Sequence, residues 1–231
     1  MPMFRDYNRS FFKKWSPEMA YVLGFFASDG TMIHNSRGAC FIEFNSTDKS
    51  IIFGIRKALS SEHKISARQR KNLKWKIGYR LQIGSKEYYE DLLGLGFTPN
   101  KSNKLKYPNV PDKYFTDFVR GYFDGDGSVY FRKHWIKSRN KKRWVFSSRF
   151  ISGSKPFLED LLRSLRRAGL QRGFIIAKKR GYELAFSHHD SLALFKLMYQ
   201  NVLSGLYIPR KFKTFRKAVG VLLKEAEPKI I

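Results

Sequence analysis

Two aspartates, Asp29 and Asp126, close two apolar runs of one design. The first is Ala20-Tyr21-Val22-Leu23-Gly24-Phe25-Phe26-Ala27-Ser28-Asp29-Gly30 and the second is Phe118-Val119-Arg120-Gly121-Tyr122-Phe123-Asp124-Gly125-Asp126-Gly127. Read as helices, both runs put a carboxylate at the C-terminal end, where it opposes the helix dipole by roughly 0.3–1 kcal/mol. If the helices pack side by side, the carboxylates also repel one another and a pKa rises. A cation resolves such an arrangement. Hard oxygen donors suit Mg2+, which keeps waters and takes one or two carboxylates, and Mn2+ or Ca2+ fits the same place. A divalent ion beside a basic surface points to phosphodiester hydrolysis. Asp124-Gly125-Asp126-Gly127 does not open an EF-hand, because Val129 stands where its glycine belongs and Trp135 where its glutamate belongs.

The elements that must hold these carboxylates follow from spacing. Gly24 and Ser28 are four apart, as are Gly121 and Gly125, and such smooth stripes let two helix backbones approach closely. Ser16 caps a helix from about Pro17 to Asp29, with Gly30 as its stop. Strands at about 31–35 and 39–45 follow, then a helix capped by Ser46 or Thr47 with Ile51, Ile52, Ile55, Ala58 and Leu59 inward. A second strand pair spans about 64–70 and 74–83. Along the latter Trp75, Ile77, Tyr79, Leu81 and Ile83 face a core, and Lys74, Lys76, Gly78, Arg80 and Gln82 face outward. Ser85 caps the next helix. The stretch 96–111, with Pro99, Pro108 and Pro111, reads as a linker.

After the linker the order repeats. A helix at about 112–126 leads to strands at 128–133 and 143–151, joined by a long basic turn from His134 to Lys142. Ser154 caps a helix. Strands at 174–178 and 182–186, a helix near 191–201 and a basic helix at about 210–224 complete the unit. His188 and His189, as neighbours on a strand end, point apart and do not make a metal pair. The division is thus a basic N-terminal extension (1–15), a first half (16–95), a linker (96–111) and a second half (112–231). Such internal duplication gives pseudo-two-fold symmetry, which matches the symmetry of a DNA duplex.

Charge names the partner class. Lys and Arg number 45 against 19 Asp and Glu, a net +26 that opposes compaction unless a polyanion accepts it. Aromatic residues at 16% argue against a ribosomal protein of this length. The chain has no long apolar run for a membrane span, and its single cysteine, Cys40, fits a reducing compartment. The N-terminus lacks the apolar core of a signal peptide, and Asp6 speaks against a transit peptide. An intracellular protein is expected, not secreted. Arg68, Arg70, Lys74, Lys76 and Arg80 in the first half, and Arg132, Lys133, Lys137, Arg139, Lys141, Arg143 and Arg149 in the second, are the candidate DNA contacts. Arginines pair with guanine edges and lysines more often hold phosphates.

The two runs resemble the paired motifs of the LAGLIDADG homing endonucleases in their single-chain, two-motif form. Gly121-Tyr122-Phe123-Asp124-Gly125-Asp126-Gly127 is a close match, and the first copy departs at Ala27, which stands where Asp124 stands in the second. Asn100-Lys101-Ser102 and Tyr207-Ile208-Pro209-Arg210-Lys211 agree as well, so the resemblance runs from about Ser16 to Phe215. It implies an α+β fold of two pseudo-symmetric αββαββα halves, each with a four-stranded antiparallel saddle-shaped sheet, and with the motif helices at the interface.

By the same resemblance the metal ligands are Asp29 and Asp126, with the backbone carbonyls of Ser28 and Gly125. The residues around the scissile phosphates fall on Asn45, Lys49 and Lys86 in the first half. In the second they fall on Ile151, Lys155 and His189, of which Ile151 and His189 depart from the pattern. The implied function is a monomeric, site-specific, metal-dependent endonuclease acting on both strands of a long duplex DNA target, found wherever its host intron resides, in an organelle or a prokaryotic cytoplasm. The rival readings are an intron RNA maturase or a non-catalytic DNA-binding protein on the same scaffold; a structural protein of a nucleoprotein particle leaves the doubled motif without purpose. An intein origin is not expected, since no splicing nucleophile block is present.

Overall fold

The computed structural model describes residues 5–69 and 74–226. Helix α1 (Pro17–Asp29) starts as its sequence dictates: Ser16 Oγ accepts from Met19 N at 3.1 Å and Pro17 occupies the first turn. Every residue from Met19 to Ala27 is buried, so α1 is a central helix and not a surface one. It leads into β1 (Gly30–His34), β2 (Cys40–Ser46), α2 (Lys49–Ala58), β3 (Ile65–Arg68), β4 (Gly78–Gly84) and α3 (Lys86–Gly94). The second half repeats this with α4 (Phe115–Asp126), β5 (Gly127–Ile136), β6 (Lys141–Ser152), α5 (Lys155–Arg167), β7 (Phe174–Lys178), β8 (Gly181–Phe186) and α6 (His188–Tyr199), and α7 (Pro209–Ala226) follows. Each half is an antiparallel four-stranded sheet, ordered β1-β2-β4-β3 and β5-β6-β8-β7. The expected α+β fold of two αββαββα halves is what the chain adopts. Among the described residues no helix is long and apolar enough to cross a membrane.

Helices α1 and α4 pack along one another between the sheets. A Cβ on Gly24 would fall on the Phe118 carbonyl oxygen and 2.9 Å from Tyr122 N, and one on Gly121 would fall on the Tyr21 carbonyl oxygen. The small residues thus set backbone-to-backbone contact. The buried Arg120 holds the second half together, donating to Leu206 O at 3.0 Å and Met198 O at 2.9 Å and pairing with Asp117.

Several local expectations need correction. Gly30 is not a left-handed stop: at φ −91° and ψ 154° it already begins β1. Glycine is needed there because a Cβ would fall on the Phe26 ring, and Gly127 meets Phe123 in the same way. Strand β4 begins at Gly78, so Trp75 and Ile77 are 55% and 43% exposed instead of lining a core. The last pair of β3 with β4 is Arg68 with Gly78, and the alternation in the sequence runs on past it. The basic turn at 134–142 is mostly strand: β5 and β6 pair as far as Ile136 and Lys141, with Phe131 stacked on Trp144 at 4.3 Å, and only 137–140 turn. Neither Ser46 nor Thr47 is the cap of α2. Asp48 holds that position, but its carboxylate is taken by Arg210, with contacts of 2.8–3.1 Å. Helix α6 begins at His188, earlier than its apolar spacing indicates.

Residues 5–15 are less a free basic extension than a brace on the first half. Phe11 and Phe12 are buried, Asn8 N donates to Leu59 O at 2.9 Å, and Tyr7 donates to Ser85 Oγ at 2.9 Å.

Candidate active site

The close approach of α1 and α4 brings their C-terminal ends together. A Cβ on Gly125 would fall on the Ser28 side chain and 3.1 Å from Asp29 Oδ2, so the acid of one motif lies against the backbone of the other. Burial and repulsion from Asp126 push the Asp29 carboxyl up to about 7, and burial pushes Asp126 up as well. Two carboxylates held this way store electrostatic cost that a cation relieves.

Two buried lysines supply part of that charge. Lys101, 6% exposed in the short 3-10 turn Lys101–Asn103, donates to Gly30 O at 2.7 Å. Lys211, 4% exposed in α7, donates to Phe123 O and Asp124 O at 2.7 Å and Gly125 O at 3.2 Å. Each therefore caps the negative end of one motif helix, and each lies over a motif phenylalanine, Phe26 or Phe123. Burial lowers both to about 8, against the pull of Asp29 and Asp126. Sequence reasoning assigned the active-site cation to Lys86 and missed this pair. The available signal was that Lys101 and Lys211 follow the last sheet-packing helix of their own halves, within the two segments that carry the family resemblance.

A cleft of about 820 Å³ opens beside Asp29, lined by Asn45, Arg68, Tyr79, Arg80, Gly125 and Arg210 among others. The structure thus brings Asp29, Asn45, Arg68 and Arg80 together. Lys49 heads α2 with its ammonium 6.0 Å from the Tyr79 ring, at the cleft's edge. Lys86 does not line the cleft; it is exposed on α3 and pairs with Glu90 at 3.6 Å. Lys155 is likewise exposed and pairs with Glu159 at 3.2 Å. The Ser28 hydroxyl donates to Phe25 O at 2.8 Å, and the Gly125 carbonyl is shared with Lys211. At the position matching Asn45 the second half carries Ile151, 45% exposed.

Of the candidate DNA contacts, Arg80 and Arg149 lie on open sheet faces and each pairs with a carboxylate, Glu43 or Glu183. Lys74 and Lys76 are exposed in the approach to β4. Arg132, Lys133, Lys141 and Arg143 are exposed along the β5–β6 hairpin, with Lys137 and Arg139 at its tip. Arg70 lies outside the described residues.

With this geometry in place, comparison with known proteins is specific. Residues 16–95 match the family model of the LAGLIDADG-like domain. The chain is 24% identical over 175 residues to uncharacterized protein MJ0398 of Methanocaldococcus jannaschii, a match covering 73% of this chain and 55% of that protein. The chain thus spans about half the length of that curated relative. Solved structures with a similar fold include I-SmaMI bound to an uncleaved DNA target in the presence of calcium ions (TM-score 0.59, 13% identity, 92% of each chain). The homing endonuclease I-WcaI bound to its DNA recognition sequence is another (TM-score 0.59, 16% identity, 90% of this chain and 91% of that one). The LAGLIDADG meganuclease I-AabMI bound to uncleaved DNA is a third (TM-score 0.62, 12% identity, 91% of this chain and 92% of that one). Residues 16–95 are thus similar to the LAGLIDADG-like domain, and the whole chain shares the pseudo-symmetric two-domain fold of these solved structures.

Proposed function

We propose that the protein is a monomeric, site-specific endonuclease of duplex DNA that uses a divalent cation and hydrolyses one phosphodiester on each strand. The observation that carries this reading is the joining of Asp29 and Asp126 at the ends of α1 and α4, between two sheets with basic open faces. The DNA-bound relatives of the same fold support it.

The donor set fits a hard cation. It offers two carboxylates and helix-end carbonyls, without sulfur or imidazole. Among the described residues no cluster of three or more His, Cys, Asp or Glu is placed to hold a metal; an ion such as Mg2+ takes one or two carboxylates and keeps most of its waters. Asp29 and Asp126 would hold it, with the Ser28 carbonyl beside them; the Gly125 carbonyl has a second lone pair beyond the one Lys211 uses. Bound there, the ion supplies Lewis-acid stabilisation of the charge that develops on a phosphate in transfer. The chain's own groups do the rest. Arg68 and Arg80 hold the duplex over the first site, Asn45 orients water through its amide, and Lys101 and Lys211 favour the ionised form of the carboxylates against the burial that raises them.

The test is cleavage of targets selected from a randomised duplex library. Asp29→Asn and Asp126→Asn should each lose cutting, and the double variant should still bind. Cutting at the parental rate by both single variants would sink the assignment. Tighter binding to structured intron RNA than to duplex DNA at matched salt would favour the maturase reading instead.

A further inference from the structure

An ion pair between the two halves lines the Asp29 cleft. Asp48 caps α2 of the first half, Arg210 stands in the first turn of α7, and both are in the cleft wall. Arg210 Nε donates to each Asp48 carboxylate oxygen at 3.1 Å, and Nη2 donates to Oδ2 at 2.8 Å. Asp48 is itself held, because its backbone N donates to Ser46 Oγ at 3.1 Å. Three arginines line this cleft, and Arg210 is the one that comes from the second half.

The pair has no counterpart across the pseudo-dyad. Phe44 pairs with Gly30 and Leu81, and Phe150 pairs with Gly127 and Leu184, so the two are equivalent. Counting on from them sets Asp48 against Ser154, which likewise caps its helix. Lys101 and Lys211 each cap the motif helix of their own half, which sets Arg210 against Asn100. The Ser154 hydroxyl donates to Leu105 O at 2.8 Å, and Asn100 is exposed. The contact between the halves is thus kept on the Asp126 side, but without a carboxylate or a guanidinium.

The geometry of the fork says what it is for. Asp48 takes the Nε and Nη2 edge, and among the described residues Nη1 has no hydrogen-bond partner. The Nη1 and Nη2 edge is therefore open. The Arg210 side chain is 54% exposed and that of Asp48 is 21% exposed, so the acid sits behind the fork. A guanidinium fixed along one edge presents the other ready-made, and two parallel N–H groups match two oxygens of one phosphate. A phosphodiester brought to a cation at Asp29 enters this cleft. Charge builds on its non-bridging oxygens during displacement, and a fixed donor pair is worth most there.

We propose that Arg210 is a catalytic residue of the Asp29 site alone, holding the scissile phosphate through its open edge, and that Asp48 is its positioning residue. This rests on the duplex-endonuclease reading above.

The experiment follows cleavage of a library-selected duplex in Mg2+ with one strand labelled at a time. Arg210→Ala should slow one cut by about a hundredfold, and it should be the cut that Asn45→Ile also slows. The other strand should stay within a few-fold, and kcat should fall more than KM rises. Arg210→Lys keeps a cation beside Asp48 but has no planar fork, so it should stay close to the alanine variant. Asp48→Asn should slow the same strand about tenfold, and should add nothing in the Arg210→Ala background. A pair that only tethers the halves predicts otherwise: both cuts slow together, and lysine rescues. Equal slowing of the two strands, cutting near the parental rate by either Arg210 variant, or additive effects of Asp48→Asn and Arg210→Ala would overturn the proposal. A parent that cuts no duplex would overturn the endonuclease reading itself, and this assignment with it.

Discussion

The Tyr21 hydroxyl donates to Asp124 Oδ2 at 2.7 Å, from the first motif helix to the second. The same oxygen accepts from Ile208 N at 2.8 Å, so one buried acid ties α1, α4 and the entry to α7. The first motif has no counterpart, because Ala27 and Phe118 stand where Asp124 and Tyr21 stand. Burial raises Asp124 to about 6, with the Tyr21 bond pulling the other way. A carboxyl raised in the folded state contributes stability that is full below its ordinary 3.8 and lost as pH rises through about 6. Tyr21→Phe should therefore cost about 1–3 kcal/mol. The cost should be larger at pH 8 than at pH 5 in urea titrations; no loss at either pH would show that the bond carries no weight.

The helix crossing makes a second prediction whose sign differs between glycines. Gly→Ala within a helix ordinarily gains about 0.5–1 kcal/mol. Gly220 in α7, where a Cβ meets nothing within 4 Å, should follow that rule. Gly24→Ala and Gly121→Ala should instead lose about 3 kcal/mol or more, because the methyl lands on backbone that cannot swing aside. Thermal melts of the three variants decide it. If Gly24→Ala melts with or above the parent, backbone contact at the crossing is not what the small residues are for.

How much of this was legible in the sequence depended on the range of each signal. The start of α1, the Ser85 and Ser154 caps and the doubled Asp-Gly ends are local, and the structure places them as read. The buried lysines were marked only by their place in the two resembling segments and not by any local pattern, since the burial of Lys101 comes from Gly30 and Phe26, some seventy residues earlier. Trp75 and Ile77 misled because alternation persists past the point where pairing stops. That Glu43–Arg80 and Glu183–Arg149 are matched ion pairs with their ends exchanged between the sheets needed strand register, which hydrophobic pattern alone leaves open.

Asp29 makes a pH-linked prediction. Its carboxyl, raised to about 7 by burial and by Asp126, gives stability that is full below its ordinary 3.8 and lost as pH rises through 7. In chelator, Asp29→Asn should be more stable than the parent at pH 8, by on the order of a few kcal/mol, and about equal at pH 4. Millimolar Mg2+ should raise the melting temperature of the parent more than that of the variant. A variant less stable than the parent at pH 8 would contradict the burial argument, and equal Mg2+ shifts would remove Asp29 from the ligand set.

The lysines separate two assignments of the active-site cation. Lys101 and Lys211 lie against both motif ends, whereas Lys86 pairs with Glu90 on an outer helix. Lys101→Met should lower cleavage at pH 7 by about a hundredfold or more. It should also move the acid limb of the rate profile to higher pH, because the charge that holds down Asp29 and Asp126 is gone. Lys86→Met should stay within a few-fold of the parent. The reverse ranking would return the role to Lys86.

The two sites should also work at different speeds. Beside Asp29 the open face offers the Asn45 amide and Arg80, so a water there has hydrogen-bonding partners and a positive neighbour. At the matching places beside Asp126 stand an exposed Ile151 and Glu183, one without polar atoms in its side chain and one of the wrong charge for a phosphate. An apolar side chain cannot orient a nucleophile, and general acid–base positioning of this kind is worth about 10²–10⁴-fold. The strand served by Asp29 should therefore be cut first, and a nicked duplex should accumulate before the double-strand product. Time courses with one strand labelled at a time resolve the order. Ile151→Asn should shorten the life of the nicked species by speeding the second cut, and Asn45→Ile should slow the first until the two rates meet. If both strands are cut in step by the parent, the surroundings of the two aspartates are kinetically equivalent despite their different chemistry, and the rate is set before either bond breaks.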